Sequence, residues 1–338
     1  MFNKLYDQII KLVKNNYLYI IGILIGFFLM TIKLPYYINT PGGSADIRSK
    51  ISIADHQITK NAFNMAYVYE IPATIPTLIY SYFNKNWDVI KKEEVVLPNE
   101  NKEDVKFRDQ MMLKEANQQA IILAYNKANK KTNIIRKNFY VTYIDELAKT
   151  DLKIGDKILK INNEEIDDLA QIHDLIKSFK ANQKIDIQIK RDDKITTKSA
   201  TIINNKNNLM IGILISVDQE LETIPKIEFK FKGTEGGPSG GFMMSLAIYD
   251  TLTGSKLSQN RKIIGTGSID QYGNVGEIGG VKYKIKGAVK ADADIFFVPA
   301  GQNYEDVMEV KLEKKYDITV VPVNTLDDAI EYLQNNYC

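Results

Sequence analysis

The sequence predicts an α+β protein of two domains behind one N-terminal apolar helix. Three observations predict it. Tyr17–Ile32, YLYIIGILIGFFLMTI, carries no charge before Lys33, and with Leu34, Tyr36 and Tyr37 it reaches the length of a bilayer core. The stretch Asn138–Asn205 has a strand-rich rhythm in which Ile185, Ile187 and Ile189 alternate like a half-buried strand. From Ile295 onward, apolar strands alternate with amphipathic helices, the pattern of βαβ units.

With 338 residues the chain has room for two domains and an anchor. Its 44% hydrophobic and 25% charged content describes a globular chain. Lys plus Arg number 44 against 42 for Asp plus Glu, a formal charge of +2. That balance gives no electrostatic footprint for nucleic acid. The single cysteine, Cys338, is the last residue, so neither an internal disulfide nor a cysteine metal site is expected.

Residues 1–16 form a short amphipathic arm with Lys4, Lys11 and Lys14. Tyrosines at both ends of the apolar run suit the membrane interface. A cleavable signal peptide wants a shorter apolar core and a small-residue cleavage site, which Leu34-Pro35-Tyr36-Tyr37 is not. Residues 17–36 therefore read as an uncleaved, single-pass anchor in the lipid bilayer of the cell membrane. The basic arm favours a cytoplasmic N-terminus, with Lys33, Arg48 and Lys50 on the far side counting against it. This orientation places everything after Tyr37 outside the cytoplasm.

In residues 37–131, Asn39–Gly43 is turn chemistry, and Phe63–Ile71 and Val95–Leu97 are short strands. Ile75–Phe83, apolar and rich in tyrosine, fits either core or a membrane-apposed surface, and core fits better. Asp109–Lys127 has helical spacing in Met112, Ala116, Ala120 and Leu123.

The middle segment begins with a strand over Phe139–Ile144, a turn at residues 151–156 and a strand over Lys157–Ile161. A hairpin turn at residues 162–165 follows, then a helix over Asp168–Phe179 with Ile172, Leu175, Ile176 and Phe179 on one face. Strands over Leu209–Val217 and Lys226–Lys232 return to the last part of the chain. There Ile295–Pro299 and Ile318–Val323 are strands, with helices near Glu305–Glu313 and over Thr325–Asn335.

Most of the chain's 20 glycines fall between Gly233 and Gly287, where the backbone must turn tightly or be closely approached. Ser239 sits in the first glycine loop, GTEGGPSGG, and opens an apolar helix over roughly residues 240–252. Its hydroxyl lies beside backbone N–H groups and a helix N-terminus, donors that stabilise an oxyanion. Neither of the two histidines, His56 and His173, stands in a triad pattern, so the base is sought among lysines that burial could neutralise. In the helix beginning near Val281, the ~100° rotation per residue puts Lys282, Lys286 and Lys290 on one stripe and Val281, Ile285 and Ala288 on another. Lys284 lies at the edge of the second stripe, the one lysine of that helix turned to the packed side.

GPSGG at Gly237–Gly241, GTG at Gly265–Gly267 and IGGVKYK at Ile278–Lys284 resemble the catalytic segment of the Lon-type serine proteases, which use a Ser–Lys dyad. The resemblance implies Ser239 as nucleophile, Lys284 as general base and Thr266 as the residue orienting the lysine amine. The spacing, 284 − 239 = 45, is close to the family's. Backbone groups at Gly236, Gly237, Pro238 and Gly240 would line the oxyanion site. Gly236 departs from that pattern, since Lon enzymes proper carry an acidic residue just before the Gly-Pro-Ser. No GxxxxGK[ST] loop accompanies these motifs. The closer likeness is therefore to membrane-anchored, ATP-independent Lon-like proteases that carry a PDZ domain.

The order of elements in the middle segment, with GDKILKIN at residues 155–162, resembles a PDZ domain. The likeness implies a carboxylate-binding loop near Lys137–Tyr140, with Asn138, Phe139, Tyr140 and Val141 contacting an added peptide strand. A structural or gating role stands beside peptide binding. The helix at Asp109–Lys127 resembles the one preceding the active-site strands of Lon-type domains, so the PDZ domain (132–206) reads as an insertion splitting a Lon-type domain into 37–131 and 207–338. The family likeness implies protein or peptide substrates, a homo-oligomer of hexameric form, and neither cofactor nor metal. A silent membrane-tethered scaffold and a site-specific processing peptidase remain the alternatives.

Overall fold

The computed structural model describes residues 2–60 and 62–336. Met1, the Lys4 side chain of the basic arm and Cys338 lie outside the described parts. In chain order the first elements are α1 (Phe2–Thr31), β1 (Tyr36–Asp46), β2 (Ile51–Ile53), β3 (Phe63–Pro72), α2 (Ile75–Phe83), β4 (Asp88–Lys91), α3 (Lys92–Val95) and α4 (Lys102–Lys127). Two compact units divide the chain, residues 2–41 with 68–95 and residues 42–67 with 96–336, the boundaries falling inside β1 and β3.

In the smaller unit, α1 joins the basic arm and the apolar run into one helix, and Gln8–Thr31 is long and apolar enough to cross a membrane. The helix stops at Thr31, short of the expected Tyr36. Pro35 has no N–H to donate and disfavours a helical Leu34. Instead Leu34 N–H donates to Ala73 O at 2.9 Å, Ala73 N–H donates to Tyr36 O at 2.9 Å, and β1 pairs antiparallel with β4, Tyr36 opposite Lys91. The helix over residues 75–83 forms, yet none of its side chains is buried, so the core assignment is corrected. Its stripe at i, i+3, i+4 and i+7 (Pro76, Ile79, Tyr80, Phe83) faces outward. Val95–Leu97 is not a strand, because α3 ends at Val95 and Glu94 Oε1 accepts from Lys91 N–H at 3.1 Å.

In the larger unit the expected turn at Asn39–Gly43 is absent, since β1 runs straight through it. Gly42 serves close approach instead: a Cβ there would come within 2.4 Å of Tyr67 O. The helix predicted from Asp109 begins seven residues earlier, at Lys102 (109 − 102 = 7). Asn101 Oδ1 accepts from the N–H groups of Glu103 and Asp104, and Asp104 Oδ2 accepts from Asn101 N–H, a capping box.

The middle segment contributes β5 (Lys131–Ile144), β6 (Lys149–Thr150), β7 (Lys157–Ile161), β8 (Glu164–Glu165), α5 (Leu169–Ser178), β9 (Lys184–Arg191), β10 (Lys194–Thr201), β11 (Ile203–Asn205), β12 (Asn208–Met210) and β13 (Ile213–Ile224). Its sheet runs β13-β5-β7-β9-β10-β6 with β8 on β7. Phe139, Val141, Ile158, Ile172, Ile176 and the alternating Ile185, Ile187 and Ile189 fill one core. Asp156 is buried and held by Arg191 through Nε and Nη2, each at 2.6 Å, a bidentate pair. The expected strand over Leu209–Val217 is two strands. β12 folds back on β11, and after Gly212 the chain enters β13, which pairs antiparallel with β5 from Ile213 opposite Ile144 to Ile224 opposite Lys131.

The remaining elements are β14 (Ile227–Phe229), α6 (Gly241–Thr253), β15 (Ile263–Gly265), β16 (Ser268–Ile269), β17 (Val275–Gly276), α7 (Val281–Lys290), β18 (Ile295–Pro299), α8 (Gln302–Lys314), β19 (Thr319–Val323) and α9 (Leu326–Asn335). β14 covers three of the seven residues expected of that strand. The sheet order is β19-β18-β15-β3-β1, with β15 parallel to β3 and β18, and β18 parallel to β19. Helices α7 and α8 make the crossovers, and the one through α8 is the βαβ unit that the alternation after Ile295 predicted. Every residue of β18 is buried, as in a parallel strand covered on both faces. Helix α6 is apolar nearly all round and sits in the core between this sheet and α4.

Candidate active site

The glycine loop is fixed by bonds reaching back to α4. Gly237, at φ +85°, donates its N–H to Asp109 O at 2.9 Å, and Gln110 Nε2 donates to Gly233 O at 2.8 Å. Gly236 packs so closely that a Cβ would stand 2.8 Å from Asp109 Cβ. Glu235 Oε2 accepts from Lys232 N–H at 2.6 Å, and its other oxygen pairs with Lys50. Gly241 N–H donates to Pro238 O at 3.1 Å, turning the chain tightly around Ser239 into α6. Ser239 itself is half-buried.

Behind the serine, its carbonyl oxygen accepts from Gly267 N–H at 2.9 Å and from Thr266 Oγ1 at 3.1 Å. Thr266 is fully buried, and its N–H donates to Phe297 O at 3.1 Å, which ties it to β18. Lys284 Nζ donates to Thr266 Oγ1 at 3.0 Å. The threonine hydroxyl thus accepts from the lysine and donates to the serine's main chain. In α7, Val281, Lys284, Ile285 and Ala288 are buried at i, i+3, i+4 and i+7, so helical geometry turns this lysine inward. Lys284 is 3% exposed and forms no ion pair among the described residues. Desolvation therefore lowers its pKa to about 7. At neutral pH a large share of this amine is unprotonated, which is what a general base requires.

Of the four oxyanion positions expected, two are corrected. Gly237 has committed its N–H to Asp109 O, and Pro238 has none to give. Among the described residues the N–H groups of Gly236, Ser239 and Gly240 have no hydrogen-bond partner. The clamp from Asp109 and Gln110 was not foreseen, because a helix residue more than a hundred positions upstream carries no local signal of a loop contact. Burial raises the Asp109 carboxyl, with Arg108 acting against it.

Two cavities flank α4 beside this loop. One of ≈ 370 Å³ lies against Pro238, between Met112, Glu115 and Ala116 of α4 and the Ile269–Tyr272 turn. Burial pushes the Glu115 carboxyl up, offset in part by a Ser216 hydrogen bond. The other, of ≈ 460 Å³, lies between α4, β13 and the approach to the glycine loop, where Phe229, Phe231 and Leu221 form its apolar wall.

The residues expected in a peptide-binding loop form the interior of a strand. Asn138, Phe139, Tyr140 and Val141 lie in β5, opposite Asp218, Val217, Ser216 and Ile215 of β13. Phe139 and Tyr140 also face Ile158 and Lys157 of β7. The edge to which a peptide would add is already occupied by the chain itself, and the loop assignment is corrected. Among the described residues no group of three His, Cys, Asp or Glu side chains could hold a metal ion.

Residues 233–335 match the family model of the Lon protease (S16) C-terminal proteolytic domain, and residues 117–202 match that of the PDZ domain. Lon protease of Campylobacter concisus is 35% identical over 95 residues, 28% of this chain and 12% of the relative. Lon protease of Campylobacter jejuni subsp. jejuni is 27% identical over 150 residues, 43% of this chain and 19% of the relative. The matches thus span less than a fifth of these relatives' length. The PDZ domain of an SdrC-like protein from Listeria monocytogenes is similar at 21% identity over 25% of this chain and 92% of that one, with a TM-score of 0.23. The chain therefore carries a PDZ domain and, after it, a Lon-type C-terminal proteolytic domain.

Proposed function

We propose that the protein is a membrane-anchored serine endopeptidase that works without ATP, outside the cytoplasm, on unfolded or flexible protein segments. One observation carries the endopeptidase chemistry: a buried lysine with no counter-ion among the described residues, its pKa near 7, bonded to the threonine that in turn bonds the main chain of Ser239. The proteolytic-domain match over residues 233–335 supports the same reaction class.

Neutral Lys284 takes the Ser239 hydroxyl proton as the oxygen attacks a peptide carbonyl. The N–H groups of Ser239, Gly240 and Gly236 are the donors for the oxyanion, each worth ~2.7–4 kcal/mol by analogy with a measured side-chain donor. The lysine then gives its proton to the leaving amine, leaving an acyl group on Ser239. A water activated by the same amine releases the acyl group and restores the serine. Thr266 holds the amine in place throughout.

Pairing of β13 with β5 favours a structural or gating role for the PDZ domain over peptide capture. Beyond Ile224 the chain enters the approach to the glycine loop, so this edge and Ser239 belong to one continuous segment. The test is cleavage of an unfolded model protein by wild type, Ser239→Ala and Lys284→Ala in membranes. Both variants are expected to be inactive, and undiminished cleavage by Ser239→Ala would remove the nucleophile.

A further inference from the structure

None of the residues of the apolar helix α2 is buried among the described residues, and its chemistry points to what covers it. Ile79, Tyr80, Tyr82 and Phe83 are 58%, 53%, 86% and 78% exposed. In water such an arrangement leaves the hydrophobic effect unused. The helix also sits beside the candidate span. Leu34 follows the end of α1 by three residues, at most about 10 Å of chain, and its N–H donates to Ala73 O. Ala73 directly precedes Thr74, the N-cap of α2. The start of α2 is therefore tied by hydrogen bonds to the place where the apolar run ends.

We propose that α2 lies in the interfacial layer of the same bilayer that α1 crosses, with Pro76, Ile79, Tyr80 and Phe83 turned into the lipid. The proposal rests on the reading of α1 as a membrane anchor. Composition fits this occupant. Residues 73–87 contain no acidic side chain and one lysine, Lys85. Tyr80, Tyr82 and Trp87 are of the kind that settles at headgroup level, with an apolar ring and a polar tip. Trp87 packs edge-on against Tyr80, ring centroids 4.6 Å apart, so it belongs to the same aromatic patch. A second, shallow contact would fix the height and tilt of the extramembrane part, which one helix alone leaves free to rotate.

Trp87 is the chain's single tryptophan and reports on α2 directly. The full chain is reconstituted in phosphatidylcholine–phosphatidylglycerol vesicles, floated on a density gradient, and its emission read with acyl chains brominated near the headgroup. The expected result is floating protein whose Trp87 emission is blue-shifted and quenched. An Ile79→Ser/Phe83→Ser variant, altered only at exposed positions, should still float through α1 but lose the quenching and the shift. Floating protein with unquenched Trp87, or quenching retained in that variant, overturns the proposal and leaves the anchor standing. A blue shift that follows the protein-to-lipid ratio while bromination has no effect assigns the surface to a second copy and overturns it as well. Protein that does not float overturns both the anchor and the interfacial helix.

Discussion

Thr266 Oγ1 stands 3.0 Å from Lys284 Nζ and 3.1 Å from Ser239 O, so one buried hydroxyl joins the proposed base to the backbone of the proposed nucleophile. Removing it leaves a buried amine without its acceptor, a loss of about 1–3 kcal/mol. Thr266→Val is expected to lower kcat by roughly five- to 150-fold on that basis. Thr266→Ser, which keeps the hydroxyl, should recover most of it. Equal activity in all three proteins would show that the hydroxyl does not position the amine.

The pH dependence follows from the lysine. As a base, Lys284 works when neutral, so activity should rise with pH through a midpoint near 7. Stability has a definite sign too. The folded pKa is lowered below the ordinary 10.5, so between about 7 and 10.5 the unfolded chain binds the extra proton and stability rises with pH. Below about 7 the full cost of burying a charged amine is present. Lys284→Met should therefore abolish cleavage yet raise Tm at neutral pH, with the gain shrinking toward pH 10.5. A lower Tm for Lys284→Met at pH 7 would show that the amine is not held at a cost.

The clamp on the glycine loop gives a geometric prediction. A side chain at Gly236 meets Asp109 Cβ at 2.8 Å, so Gly236→Ala must displace the loop. A misplacement of about 1 Å can cost on the order of 10²-fold in rate, with little change in Tm because the loop is at the surface. Asp109→Ala keeps the offending Cβ and should not rescue, whereas Asp109→Gly should. Rescue by Asp109→Ala would mean that the carboxylate rather than the contact is responsible.

The PDZ edge gives a fourth. With β13 paired to β5 along twelve residues, peptides with free C-termini have no strand edge at Phe139–Val141 to join. Hydrogen exchange on the full chain should find the amides of Phe139–Val141 protected alike with and without such peptides. Added protection of the β5 amides together with faster exchange in β13 would show that a peptide can replace the internal strand.

How much of this was legible in the sequence depends on how far apart the partners lie. The burial of Lys284 was readable because its neighbours Val281, Ile285 and Ala288 sit within one helix and obey its period. The βαβ order after Ile295 was readable for the same reason. The height at which α1 ends, the straight course of β1 through Pro41-Gly42-Gly43 and the exposure of α2 were not. Each depends on what lies elsewhere in the chain: Ala73 for Leu34, Tyr67 for Gly42, and, for the outer stripe of α2, the lack of a covering core among the described residues. The loop expected at Lys137–Tyr140 failed because β13, some eighty residues later, pairs over it. Asp109 O took the Gly237 N–H across a similar gulf. Local periodicity names which face a residue shows, and long-range pairing decides what that face meets.

The most direct measurement is the rate at which an acylating probe labels Ser239, followed by mass spectrometry on either side of pH 7 in wild type and Lys284→Met. The account predicts labelling at Ser239 that climbs through a midpoint near 7 and disappears when the lysine is replaced. Labelling that is independent of pH, or that persists in Lys284→Met, would contradict it.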